Sequence, residues 1–168
     1  MSTRDTILQT ARNLTIEAGV VPSMDVIARA AGVSKGGMMH HFTSRAALVE
    51  GIAREAILDM DDALDTAAAQ GTAVETWLRL SASREEAALY RAMSIILTDH
   101  ASLTDTLLQQ AAESTERWER LFAAETGDPV TATVVRLLGD GLLLNTLADD
   151  AEHDIDAILQ WLDRRSGT

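Results

Sequence analysis

The 168-residue chain has no cysteine, so disulfides, thiol nucleophiles and cysteine-based zinc or iron–sulfur sites are excluded. It has only two prolines, which leaves long stretches free of helix breakers, and aromatic residues make up only 4% of it. With Ala, Leu, Asp and Arg abundant, this composition favours an all-α protein. No apolar run is long enough to span a bilayer. The opening Met1-Ser2-Thr3-Arg4-Asp5 runs straight into an amphipathic pattern without the apolar stretch of a signal peptide. The expectation is a soluble, cytoplasmic protein with no membrane partner. What is present is apolar content, 46% of the residues, enough for a buried core in one or two small globular units.

The net charge of −12 argues against a nucleic-acid partner, because phosphate binding relies on Lys and Arg. The distribution of that charge leaves one open. Residues 1–55 carry six basic groups against five acidic ones, a net of +1, whereas the remaining residues carry 8 against 21, a net of −13. A near-neutral head joined to a strongly acidic body suggests two regions with different partners.

Helical periodicity runs through the whole chain, and no segment reads as a strand. A first helix is expected over Thr3–Ala18, with Ile7, Ala11, Leu14 and Ala18 on its inner face and Gly19 as its stop. Ser23 caps a short second helix facing inward through Ile27, Ala30 and Ala31 and closed by Gly32, and Ser34 caps a third from Lys35 to His40. A longer helix starts after Ser44 with Leu48, Ile52 and Ala56 at +4 spacing. In the body, Ser83 and Glu86 form a capping box, and a helix is expected from about Ser102 through Leu107, Ser114, Trp118 and Leu121. Gly127-Asp128-Pro129 then reads as stop, cap and first helical residue, ahead of a helix with Val130, Val134, Leu137, Gly141, Leu144 and Ala148 in register. Ile155, Ile158 and Leu162 mark the last helix.

The head carries the sharpest signal. Ala28, Gly32 and Met38 supply a small residue at a helix crossing, a glycine to reverse the chain, and an apolar plug for the following helix, the requirements of a helix-turn-helix. The stretch Ile27-Ala28-Arg29-Ala30-Ala31-Gly32-Val33-Ser34-Lys35-Gly36-Gly37-Met38-Met39-His40-His41-Phe42-Thr43-Ser44-Arg45-Ala46-Ala47-Leu48 closely resembles the DNA-binding head of the tetracycline-repressor family. The resemblance covers residues 4–55 well and the remainder through helical layout and length. It implies an all-α homodimer in which a three-helix head at residues 1–45 binds a palindromic operator on double-stranded DNA. A long fourth helix would join this head to a helical domain at residues 46–168 that dimerises and holds a small-molecule inducer.

On that resemblance, the third helix lies in the major groove. Ser34, Lys35, Gly36, Gly37, Met39, His40 and His41 are the DNA-binding candidates on it, joined by Ser23 at the start of helix 2 and Arg45 at the start of helix 4. Lys35 is the sole lysine of the chain and can contact a phosphate or a guanine edge. Gly36 and Gly37 allow a close backbone approach, and Arg45 matches a position often holding a basic phosphate contact. Two residues depart from the family pattern. Met39 stands where many members have a tyrosine that bonds a phosphate, and Asp25 stands where some carry a basic residue that reads bases. Phosphate would repel Asp25 unless it accepts from a cytosine amine. His40 and His41 are adjacent, about 100° apart on a helix, and do not chelate as an i, i+4 pair would. No metal site, cofactor or catalytic constellation emerges, and an enzyme is not expected.

In the body, Gly139 and Gly141 cost about 1 kcal/mol each relative to Ala inside a helix, which suggests close helix packing. By resemblance this helix pairs with the last one across a two-fold axis, with Leu137, Leu138, Gly141, Leu142, Leu144, Ile158, Trp161 and Leu162 as dimer-interface candidates. Trp77, Tyr90, Met93, Trp118, Phe122 and Asn145 are the candidates to line a ligand pocket, Asn145 because a buried amide among leucines needs partners. The leading expectation is a ligand-responsive dimeric repressor. A protein on the same scaffold that no longer binds DNA and acts through a protein partner is the alternative.

Overall fold

Serine hydroxyls start the helices of the head. A computed structural model describes residues 2–90, 105–148 and 153–166, and among them it contains helices and no strand. Helix α1 spans Thr3–Ala18, opened by a capping box in which Ser2 Oγ accepts from the Asp5 amide while the Asp5 carboxylate accepts from the Ser2 amide. Helices α2 (Met24–Ala30) and α3 (Lys35–His41) follow, capped by Ser23 and Ser34, and α4 runs over Arg45–Ala68. Next come α5 (Ala73–Ser81) and α6, whose described part covers residues 84–90. The chain ends with α7 (Asp105–Thr126), α8 (Pro129–Ala148) and α9 (Ile155–Ser166). The expected beginning of α7 near Ser102, like Met93, lies outside the described residues.

The chain divides into two compact units. The first contains residues 1–58 and 88–109, the second residues 59–87 and 110–168, so α4 passes from one into the other. This division differs from the expected break after residue 45, because the head completes its core with Leu48, Val49 and Ile52 of α4 and Leu89 of α6.

In the first unit those residues close over Ile7, Leu8, Ala11, Val21, Ile27, Ala28, Met38 and Phe42. Each large side chain buried there stabilises the fold by about 1.5–3 kcal/mol relative to exposure. Arg4 stacks over the Phe42 ring at 5.4 Å and pairs with Glu55 at 3.8 Å, tying the start of α1 to α4. Two inner faces differ from expectation. On α1 the buried set is Ile7, Leu8, Ala11 and Thr15, with Ala18 exposed, since the Thr15 hydroxyl satisfies itself on the Ala11 carbonyl at 2.7 Å and so can be buried. On α2 it is Ala28 that is buried beside Ile27 while Ala30 is exposed, because the inner face runs through Met24, Ile27, Ala28 and on to Ala31 at i, i+3, i+4 and i+7, and Ala30 falls outside it.

In the second unit, Leu64, Val74, Trp77, Leu78, Phe122, Val135 and Leu142 form the centre. Thr72 gives α5 no side-chain cap, and Glu125 of α7 supplies one instead by accepting from the Ala73 amide at 2.7 Å. Trp77 is 5% exposed and donates its indole N–H to the Val135 carbonyl at 3.1 Å. It lies against Gly139, where any Cβ would fall 2.1 Å from Trp77 Nε1. Asp61 of α4 accepts from Trp118 Nε1 at 2.6 Å and Ser114 Oγ at 3.0 Å, and Arg117 pairs with Asp65.

Candidate nucleic-acid interface

The turn between α2 and α3 is set by its backbone. Gly32 sits at φ +68°, a conformation that side-chain-bearing residues rarely adopt, and the Val33 amide returns to the Ala28 carbonyl at 2.9 Å. The chain thereby reverses into α3, where Ser34 Oγ accepts from the Gly37 amide at 3.0 Å. Two glycines in seven residues cost about 1 kcal/mol each relative to Ala, so α3 depends on this cap and on Met38, which is 1% exposed and anchors the helix to the core. Ala28, Gly32 and Met38 therefore occupy the crossing, turn and plug positions expected from their spacing.

With Met38 inward, Ser34, Lys35, Gly36, Met39 and His40 are exposed, while Gly37 and His41 are half-buried. Met39, at 42% exposed, points away from the core. The His40 and His41 rings meet edge to face at 5.3 Å. No group of three or more potential ligands could hold a metal ion among the described residues. Ser23 is exposed, and its Oγ accepts from the Val26 amide at 3.3 Å, leaving its own proton to donate. Arg45 donates to the Val21 carbonyl, which fixes the start of α4 to the segment just before Ser23 and uses part of a five-donor guanidinium. The nine head residues expected from sequence thus lie on α3 or at the first residues of its neighbours.

In the sequence Asp25 stands out only as a departure from the family pattern. In the structure its Oδ1 lies 3.4 Å from Lys35 Nζ, and both side chains are largely exposed. Together with Ser23, Met24, Ala28, Met38 and Met39 they line a cleft of about 240 Å³ between α2 and α3. An exposed pair of this kind contributes about 0–1 kcal/mol, so it opens readily.

Residues 7–52, which contain this cleft and the turn beneath it, match the family model described as bacterial regulatory proteins, tetR family, and residues 71–166 match that of the tetracyclin repressor-like C-terminal domain. The chain belongs to the tetracycline-repressor family. It is a DNA-binding transcriptional regulator and not an enzyme. Among solved structures, a protein described as a transcriptional regulator from Streptomyces coelicolor A3(2) shares the fold with a TM-score of 0.65 at 23% identity over 99% of both chains. The multidrug binding protein EbrR, crystallised with imidazole, gives 0.63 at 24% identity over 98% of this chain and 94% of its own. A tetR-family regulator from Mesorhizobium loti gives 0.60 at 20% identity over 87% and 95%. No curated protein sequence matches the chain.

The second unit of this tetracycline-repressor family regulator distributes the expected pocket and interface residues unevenly. Of the six pocket candidates, only Trp77, Trp118 and Phe122 come together, with ring centroids 5.3 Å apart for Trp77–Trp118 and 6.0 Å for Trp77–Phe122. Tyr90 is 46% exposed and belongs to the first unit, and Met93 is outside the described residues. Asn145 is exposed rather than buried, because the inner face of α8 is centred on Ala132, Val135, Gly139 and Leu142, and Asn145 falls beyond the edge of that face. Of the interface candidates, Leu142 and Leu162 are 5% and 6% exposed and belong to the unit's own core, so they cannot meet a partner. Leu138 and Ile158 are half-buried against that core. Leu137, Leu144 and Trp161 are exposed, and Gly141 has no atom within 4 Å of where a Cβ would sit. Val130 and Val134 are exposed on the same face of α8 as Leu137 and Leu144, a signal already present in their +4, +3 register. Among the described residues no helix is long and apolar enough to cross a membrane.

Proposed function

We propose that this protein is a cytoplasmic homodimeric repressor that binds a palindromic operator through α3 and is released by a small-molecule inducer. Residues 1–45, completed by Leu48, Val49 and Ile52 of α4 and Leu89 of α6, form the DNA-binding part, and the second unit dimerises and takes the ligand. The observation that carries the reading is α3 itself. It is capped by Ser34, anchored by Met38, and it shows Lys35, Gly36, Met39 and His40 to solvent. Lys35 contacts guanine or phosphate, the glycines admit close backbone approach, and Ser23 and Arg45 contact the phosphates on either side.

Dimerisation is supported by the exposed stripe of Val130, Val134, Leu137 and Leu144 on α8, with Trp161 on α9. Leaving five large apolar side chains in water is costly, and a second copy covering them removes that cost. Two heads related by a two-fold axis bind half-sites about 34–36 Å apart, one helical turn. Inducer response is supported by the aromatic group of Trp77, Trp118 and Phe122 beside the Asp61 carboxylate, which is 12% exposed. A ligand that competes for Trp118 or Asp61 acts on α4, the helix that also carries Leu48, Val49 and Ile52 of the head's core. EbrR, similar in fold, is described as a multidrug binding protein.

Selection from a random duplex pool tests the reading. The expected product is a palindrome with half-sites one turn apart, bound by two protomers. A pool that shows no enrichment over repeated rounds overturns it and favours a partner-binding protein on this scaffold.

A further inference from the structure

Binding DNA through α3 leaves one residue to account for. Asp25 places a carboxylate on the surface that would face a polyanion, and its side chain is 63% exposed. Phosphate oxygens are acceptors, so a carboxylate gains nothing from them, whereas the major-groove edge of a base pair sets donors beside acceptors.

A G·C pair presents guanine N7 and O6 as adjacent acceptors, followed by the cytosine N4 amine as donor. O6 and N4 are joined by a base-pairing hydrogen bond and so lie roughly 2.9 Å apart. Lys35 Nζ and Asp25 Oδ1 are 3.4 Å apart and line one cleft with Met24, Ala28, Met38 and Met39. An ammonium and a carboxylate at this spacing complement the pair, with Nζ donating to O6 and N7 and Oδ1 accepting from N4. An A·T pair offers thymine O4 and adenine N6 in similar alternation. It sets adenine N7, an acceptor, beside the carboxylate and the thymine methyl beside the ammonium, so it fits less well. We infer that Asp25 and Lys35 act as one unit that reads a single G·C base pair in each half-site, with Asp25 as the specificity-determining residue. On other sequences the carboxylate cancels the lysine charge and weakens attachment to the phosphate backbone.

This inference rests on the DNA-binding reading, and one experiment separates the two. The duplex selected by the full-length protein is substituted at each base pair in turn, and binding is measured by fluorescence anisotropy. The expected result is that replacing one G·C pair per half-site costs the native protein about tenfold in affinity or more. Asp25→Ala and Lys35→Ala each flatten the preference at that same position and leave the others intact, and Asp25→Ala also binds scrambled duplex more tightly at low salt. Because Asp25 is exposed, the variants should keep the native helical circular dichroism and melting temperature. Asp25→Asn, of the same shape without the charge, provides a second variant and accepts the alternative base pairs within a few-fold. The inference is overturned if Asp25→Ala retains the full preference at every position, or if the two alanine variants flatten different positions. If the native protein selects no duplex at all, the DNA-binding reading fails and this inference with it.

Discussion

Replacing Gly139 with alanine puts a methyl carbon 2.1 Å from Trp77 Nε1, 2.3 Å from its Cε2 and 2.8 Å from its Cζ2. The indole is rigid and 5% exposed, so it has no flexible end to move aside. It must shift against Trp118 and Phe122 and release the Val135 carbonyl. Overpacking of this kind costs about 1–3 kcal/mol. A buried indole N–H left without its acceptor costs about 1–3 kcal/mol more. Better helix propensity returns about 1 kcal/mol, so the net loss is about 3 kcal/mol. Gly141→Ala, two residues on, meets no atom of its own protomer within 4 Å and should leave the protomer as stable or slightly more so. Urea unfolding followed by circular dichroism, at one fixed protein concentration because a dimer's stability depends on it, compares the two. With a typical slope of about 1–3 kcal/mol per molar, Gly139→Ala should lower the midpoint by about 1–3 M. A Gly139→Ala midpoint at or above the native value refutes the packing of Trp77 on α8.

Ser34→Ala removes the side-chain cap of α3 and should cost about 1 kcal/mol of stability by urea unfolding, with a matching loss of affinity for the selected duplex. Leu144→Glu places a charge in the exposed α8 stripe, and light scattering should show the dimer shifting to protomers, whereas an unchanged mass would place the interface elsewhere. Thr131 holds the Asp128 carboxyl below its ordinary pKa through side-chain and backbone hydrogen bonds. That stabilisation is present above the unfolded aspartate pKa and is lost as the pH falls through the lowered folded value, so the deficit of Asp128→Ala at pH 7 should shrink on acidification. Burial pushes Asp140 the other way, despite the attraction of Arg136. Native stability should therefore fall as the pH rises from the ordinary aspartate value through the raised one, and Asp140→Asn should lack that component.

The local features of the fold were legible because the residues that specify them are neighbours. Ser23, Ser34 and Asp128 cap helices where their positions indicated, and Gly19 and Gly127 end them. The helix-turn-helix was legible for the same reason, since Ala28, Gly32 and Met38 lie within eleven positions and their roles follow from size and backbone freedom. Pairings between distant segments were not. Asp61 with Trp118, Glu125 with the start of α5 and Arg45 with Val21 join residues 24 to 57 positions apart, and nothing in the periodicity announces them. Gly139 signals close helix packing in the sequence without naming the neighbour. Its missing side chain makes room for Trp77 of the same protomer rather than for a second copy. Leu142 and Asn145 sit elsewhere than expected because α8 has apolar residues on more than one face, and Leu162 because on α9 it adjoins Trp161, which faces outward while Leu162 turns into the core. Asp25 was visible in the sequence as an oddity, but its link to Lys35 needed the two helices to be brought together.

Docking of this chain on a specific duplex through α3, led by Lys35, is the centre of its proposed function. The most direct test is the salt dependence of binding, by fluorescence anisotropy, to the selected duplex and to a scrambled one, for the native protein and Lys35→Ala. Tight binding to the selected duplex is expected, at least about a thousandfold above scrambled, falling linearly on a log–log plot against salt. Lys35→Ala should weaken that binding and narrow the gap between the two duplexes. Equal affinity for both duplexes, or a Lys35→Ala variant that binds like the native protein, would contradict it.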